Sequence, residues 1–272
     1  MRISVFFDHI LQAKEQTGKP LEELLTGVRQ AGIEAVEICL DYLLSHEEVM
    51  DTLKQADLAI SCIYEFYDMG RIDETQKACR HVEAAVKAGA GRILVVPGFL
   101  DGAESKQMQE KMSHVQEIEE FLSGNSQISR MVEGLSFISK LGREKNVVVT
   151  VEDFDDLNSP FSGMNGIRWF LGQIPELKYT LDTGNYLFYQ ENMLDAFSLF
   201  GDRIAHVHCK DRHKTDQASV EVGGGYIPFE DVICRLKAQG YDGYLAIEHF
   251  DAADQEGCMR KSAQFLHSKI HR

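Results

Sequence analysis

The chain has 272 residues, 44% of them hydrophobic, enough to bury a large core; one α/β barrel needs roughly 250 residues, so a single domain is the economical reading. Lys plus Arg number 28 against 43 for Asp plus Glu, a net charge of -15 that repels a phosphate backbone, so nucleic acid is not expected as a partner. The opening MRISVFFDHILQ has no signal-peptide pattern and no stretch reaches the ~18 apolar residues of a membrane span, so a cytoplasmic protein without membrane contact is expected.

Apolar runs with strand character alternate with amphipathic helical patterns from end to end. Strands are expected at Ile3–Phe7, Ala35–Cys39, Ala59–Tyr64, Arg92–Val96, Val147–Glu152, Lys178–Asp182, Ile204–His208 and Tyr244–Glu248. Gly32 closes a helical pattern over Leu21–Ala31, Gly89 closes one over Asp73–Ala88, and Pro228 and Gly240 bracket the run to Gln239. Strand–helix units in this order, with parallel strands and right-handed crossovers, give an α/β fold of the (β/α)8 TIM-barrel type over residues 1–272. Between the fourth and fifth strands, the segment from Pro97 to about Gln127 is far longer than the ~2–6 residues of an ordinary βα loop. Its stretch Glu104–Phe121 has helical composition, so an insertion at about 98–126 is expected, as a helical lid or rim over the site or else as a solvated insertion or a contact in a homo-oligomer. The six cysteines form no CxxC pair and mostly fall inside apolar runs, so they read as buried small hydrophobes.

Four of the later runs each end on one metal-capable side chain: Glu152 in VVVTVE, Asp182 in KYTLD, His208 in IAHVH and Glu248 in YLAIE. In a parallel barrel these are the carboxyl ends of successive strands, where the active site is built. A single carboxylate there is usually a cap or a salt bridge, but four donors in register describe a divalent-metal site. Three carboxylates and one imidazole without a thiolate favour Mn2+ or Mg2+ and admit Co2+, Fe2+ or Zn2+. His206 and His208 share a strand face, so alternation does not separate them; His208 is nearer the carboxyl end, and His206 is expected a layer deeper as a core histidine.

The set VTVED, LDTGNY, HVHCKD and the closing GGGYIPFEDVICRLKAQGYDGYLAIEHF resembles the sugar phosphate isomerase/epimerase family of xylose-isomerase-like barrels. That family includes ketose 3-epimerases, hydroxypyruvate isomerases, and inosose dehydratases and isomerases. The resemblance covers essentially the whole chain and is strongest from Val147 to Phe250. It implies one divalent ion bound by Glu152, Asp182, His208 and Glu248. It further implies that Glu152 and Glu248 flank the substrate as an acid/base pair, one removing the proton next to a carbonyl and the other delivering a proton to the opposite face.

Substrate-side candidates surround this set. Asn185 stands three residues after Asp182, where some relatives carry a histidine; Lys210 and Asp211 follow His208 and are expected to touch the substrate or to pair with each other. Glu65 after ISCIY and His9 after the first strand are further strand-end candidates. The run GGGY at Gly223–Tyr226 suggests an anion nest but lacks the Lys-Ser or Lys-Thr of a P-loop; the resemblance implies a loop near the catalytic mouth there, compatible with close backbone approach to a sugar. The expected activity is metal-dependent isomerisation or epimerisation of a small unphosphorylated ketose or cyclitol. Two alternatives share the fold: an inosose-type dehydratase, whose reaction begins with the same proton abstraction, and an apurinic-endonuclease-like nuclease, which uses three metals, extra histidines and a basic groove.

Overall fold

The computed structural model describes residues 1–271. Its strands are β1 (Arg2–Phe6), β2 (Ala35–Cys39), β3 (Ala59–Phe66), β4 (Arg92–Val96), β5 (Val148–Glu152), β6 (Lys178–Asp182), β7 (Ile204–Arg212), a short β8 (Ser219–Val220) and β9 (Tyr244–Glu248). All but β8 pair in parallel in the order β1 to β7 and then β9, and β9 pairs with β1 to close an eight-stranded barrel. The expected strands are the observed ones to within two residues at their ends, except β7. That strand runs on to Arg212 because Asp211 and Arg212 pair antiparallel with Val220 and Ser219, a hairpin that the polar sequence CKDR does not announce.

The helix Ser126–Lys145, which carries the chain from β4 to β5, shows how local sequence builds the outer layer. Asn125 caps it, its Oδ1 accepting from Gln127 N and Ile128 N, and Ile128, Met131, Leu135 and Ile138 recur at helical spacing on its buried face. Each such burial contributes roughly 1.5–3 kcal/mol. The helix ends where Asn146 turns left-handed with φ 59°, and Gly142 lies so close to the start of β5 that a Cβ there would sit 2.6 Å from Val147 O.

The expected insertion is helical, as two segments, Gly102–Lys111 and Val115–Gly124. They pack on the flank of the barrel, burying Met108, Ile118 and Leu122. Arg168 pairs with Glu119 at 2.9 Å, Asn165 donates to Met112 O, and Ser105 donates to Asn158, so the segment is tied to the helix Met164–Gln173 and the loop before it. The cysteine expectation is corrected: only Cys62 and Cys209 are buried, and Cys234 is exposed because Phe229, Val232, Ile233 and Leu236 form the inward stripe of its helix. Among the described residues, no helix is long and apolar enough to cross a membrane.

Candidate metal centre and its cavity

A cavity of about 430 Å3 opens at the carboxyl end of the barrel, between a polar floor and an aromatic wall. Phe6, Tyr64, Phe66, Phe154 and Phe250 supply the wall; Glu152, Asp155, Asn185, Lys210, Arg212, Glu248 and Asp251 supply the polar side. Alternation explains the membership. Tyr64 and Phe66 on β3, Lys210 and Arg212 on β7, and Glu248 with Phe250 at the end of β9 each lie two residues apart and face the same side.

Glu152, Asp182, His208 and Glu248 meet at the floor, all of them buried. His208 Nδ1 stands 3.0 Å from Glu152 Oε2 and 3.3 Å from Glu248 Oε2. Donor atoms of Glu152, Asp182 and His208 lie within 4.8 Å of one another. Asp182 is aimed by the turn after β6, its Oδ1 accepting from Gly184 N at 2.7 Å and Asn185 N at 2.9 Å. Asp182 Oδ2 and Glu248 Oε2 are buried and receive no hydrogen bond from the described residues, although Lys210 Nζ and His208 Nδ1 respectively lie 3.3 Å away. Those distances are ion-pair contacts without hydrogen-bond alignment, which leaves both oxygens free to ligate.

Lys210 crosses the floor, its Nζ 2.6 Å from Glu248 Oε1, 2.8 Å from Asn185 Oδ1 and 3.6 Å from Asp155 Oδ2. Burial lowers its pKa, but Asp182, Glu248 and Asp155 outweigh that and hold it above the ordinary lysine value. Burial pushes Glu248 up, yet Lys210 and His208 bring it below the usual carboxylate range. Burial dominates at the other two carboxyls, raising Glu152 and pushing Asp182 up to about 8. Burial works against a charged His208, but Glu37 and Glu152 override it and raise its pKa well above the usual histidine value. The floor thus sets two cations, Lys210 and His208, against the carboxylates of Glu248 and Glu37.

Asn185 and Lys210 thus reach the cavity as expected from the sequence, whereas three other candidates do not. Glu65 lies on the opposite face of β3 from Tyr64 and Phe66 and pairs with Lys77 at 3.0 Å, because alternation turns it toward the helix layer. His9 falls in the first turn of the helix Phe7–Thr17; it stacks on His249 at 4.5 Å and its Nε2 accepts from His249 N. It backs Phe6 and Phe250 without lining the cavity.

Asp211 does not pair with Lys210. Its carboxylate accepts from the backbone N–H groups of Arg212, Gly223, Gly225 and Ile227 at 2.9–3.1 Å. The GGGY loop is an anion nest after all, and its anion is the protein's own Asp211. A Cβ on Gly225 would sit 2.2 Å from Asp211 Oδ1. Asp211→Ala is expected to cost at least about 2 kcal/mol by stranding these amides, and Gly225→Ala to destabilise through overpacking. Urea unfolding reads both; an unchanged midpoint in Asp211→Ala would show that the loop holds without its anion.

Sequence reading also missed Arg212, Asp155, Phe250 and Glu37. Arg212 Nη2 pairs with Asp155 Oδ2 at 2.5 Å on the cavity edge, and continuing the alternation 208, 210, 212 would have found it. Glu37, an acidic residue inside the apolar run AVEIC, is fully buried beneath His208. A charge in such a run was the available signal.

A family model described as xylose isomerase-like TIM barrel matches residues 25–269. The chain belongs to the xylose isomerase-like TIM barrel family. Among relatives of this xylose isomerase-like barrel, inosose dehydratase of Clostridium perfringens (strain 13 / Type A) is 23% identical over 266 residues, covering 86% of this chain and 83% of the relative. The IOLI protein with a bound zinc atom superposes with a TM-score of 0.72 at 14% identity, covering 99% of this chain and 98% of its own. D-allulose 3-epimerase from Methylomonas sp. in complex with D-allulose superposes with a TM-score of 0.70 at 15% identity, covering 90% and 89%. At these identities the superpositions establish the shared barrel.

Proposed function

We propose that this chain is a divalent-metal-dependent isomerase or epimerase that moves a proton next to a carbonyl of a small ketose or cyclitol. The observation that carries the proposal is the meeting of Glu152 and Glu248 at His208 Nδ1, with Asp182 in reach of the same donors, beneath the cavity that Glu152 and Glu248 line. The donor set fits the ion: three carboxylates and an imidazole suit Mn2+ or Mg2+ and also Zn2+, Co2+ or Fe2+, and two of the oxygens are free of hydrogen bonds. A zinc atom in the IOLI structure and D-allulose in the epimerase structure support a metal-bearing, sugar-sized site.

Once bound, the ion supplies the positive charge that makes a proton next to a carbonyl removable. The protein's own groups do the rest. Glu152 and Glu248 come from strands separated by β6 and β7 and both border the cavity, which suits a division of labour in which one takes the proton and the other returns it. Asn185 and Lys210 hold substrate hydroxyls at the polar side, and the aromatic wall covers the apolar face of a sugar ring and excludes water.

A second reading, dehydration, begins with the same abstraction and is favoured by the inosose dehydratase relative and by Lys210, whose Nζ lies beside Glu248 where it would protonate a departing hydroxyl. A nuclease reading calls for more histidine ligands; the position three residues after Asp182 holds Asn185, whose amide donates to Asp153 O. A panel of ketoses, aldoses and inososes, assayed with added metal in deuterated water, tests the proposal. Solvent deuterium entering the carbon next to the carbonyl is the expected result, and no exchange with any member would contradict it.

The raised Asp182 pKa sets a pH dependence. Its carboxyl must shed a proton to ligate, so ion affinity is expected to rise between pH 6 and about 8, the value burial imposes on that carboxyl. In the metal-free protein the sign is opposite: the native state holds a proton that the unfolded chain releases near its ordinary pKa of about 4. That stability contribution is complete below the unfolded pKa and is lost as pH rises through the folded one. The gap in Tm between metal-loaded and metal-free protein should therefore widen from pH 6 to 8, as thermal unfolding would show; a constant gap would contradict it.

A further inference from the structure

Beneath the floor, Glu37 lies fully buried on β2 between two imidazoles. Its Oε1 is 3.2 Å from His208 Nε2 and its Oε2 is 2.7 Å from His206 Nε2. A carboxylate only accepts, so each ring presents an Nε2–H to it. From the other end, Arg92 Nη1 stands 3.3 Å from His206 Nδ1. A guanidinium only donates, so His206 Nδ1 accepts and the ring's proton sits on Nε2, the same tautomer that Glu37 requires. Arg92 and Glu37 thus agree on His206, and Glu37 with one oxygen committed to His206 offers the other to His208.

For His208 the consequence is directional. With Nε2–H donated downward, Nδ1 is the nitrogen that faces Glu152 and Glu248, and it is the one that would turn a lone pair to an ion held between them once its own proton has left. We propose that Glu37, anchored by His206 and Arg92, is a positioning residue that fixes the ring orientation and tautomer of His208 for the divalent ion. The inference rests on the metal reading above and extends it one layer into the barrel. Partners of this kind on a ligating histidine raise its basicity and hold its ring, and their loss typically costs about 10–100-fold in metal affinity.

Glu37→Gln is the informative change because it preserves volume while removing one acceptor. The amide oxygen serves one Nε2–H, and the amide NH2 then faces the other. His206 cannot yield by moving its proton to Nδ1 without aiming that N–H at Arg92, so the misfit falls on the pair as a whole. Calorimetric titration of metal-free protein with Mn2+ should give one site in wild type and a Kd raised about 10–100-fold in Glu37→Gln. Glu37→Asp, which keeps both acceptors, should recover part of the loss. An unchanged Kd in folded Glu37→Gln would overturn the inference while leaving the metal reading intact. Two ions in wild type, one of them absent from the variant, would also overturn it, because Glu37, His206 and His208 would then be ligands of a second site.

Wild type that binds no ion would remove the metal reading and this inference together. A measurement on wild type alone covers the case in which the variants do not fold. In Zn2+-loaded protein with 15N-labelled histidine, His208 should show Nδ1 ligated and Nε2 protonated, and ligation through Nε2 would overturn the proposal.

Discussion

With the ion in place, Glu152→Gln and Glu248→Gln are each expected to lower turnover by at least ~10²-fold on the native substrate. Glutamine keeps the size and an oxygen for the ion but cannot accept the transferred proton. Both positions border the cavity, and both carboxylates lie within 3.3 Å of His208 Nδ1, so neither substitution has to be read through a distant rearrangement. Losing the ion would imitate the effect, so occupancy must be confirmed for each variant. In deuterated water the two should differ: one variant still exchanges the proton from a single substrate face while net conversion stops. Near-normal turnover in both metal-loaded variants would refute a two-carboxylate mechanism.

The second large effect separates the two histidines of β7. His208→Ala is expected to lose the ion, by on the order of 10²-fold or more, since it removes a ligand where loss of a mere supporting partner costs about 10–100-fold. His206→Ala should cost chiefly stability, on the order of 1–3 kcal/mol, because Glu37 Oε2 loses its 2.7 Å partner in a site with no access to water. Burial lowers the His206 pKa to about 4, so the ring removed is a neutral one. A smaller loss of ion affinity should accompany it through the Glu37 contact. Metal content and denaturant unfolding of both variants check the pair, and exchanged effects would place the ligand two residues earlier.

The barrel was legible because parallel strands buried on both faces read as apolar runs such as VVVTVE and YLAIE, each ending in a polar loop. The convergence of Glu152, Asp182, His208 and Glu248 followed from the same runs, since strand ends in a closed barrel share one rim. What was not legible depended on which way a side chain turns past the end of a run. Glu65 looked like a strand-end residue, but β3 continues to Phe66 and alternation turns Glu65 outward. His9 follows β1 only after the helix has begun at Phe7, so helical and not strand geometry sets its direction. Asp211 and the glycines of GGGY were read apart, and their mutual hydrogen bonds join positions 12 and 14 residues distant that no local pattern links. Glu37 went unremarked because its partners, His206 and His208, come from the far end of the chain.

Anomalous diffraction from crystals grown with Mn2+ would locate the one divalent ion proposed to sit among these four side chains. A single strong peak per chain is expected at bonding distance from Glu152, Asp182, His208 and Glu248. A peak elsewhere, three peaks at the mouth, or none in crystals that bind Mn2+ in no other way would contradict it.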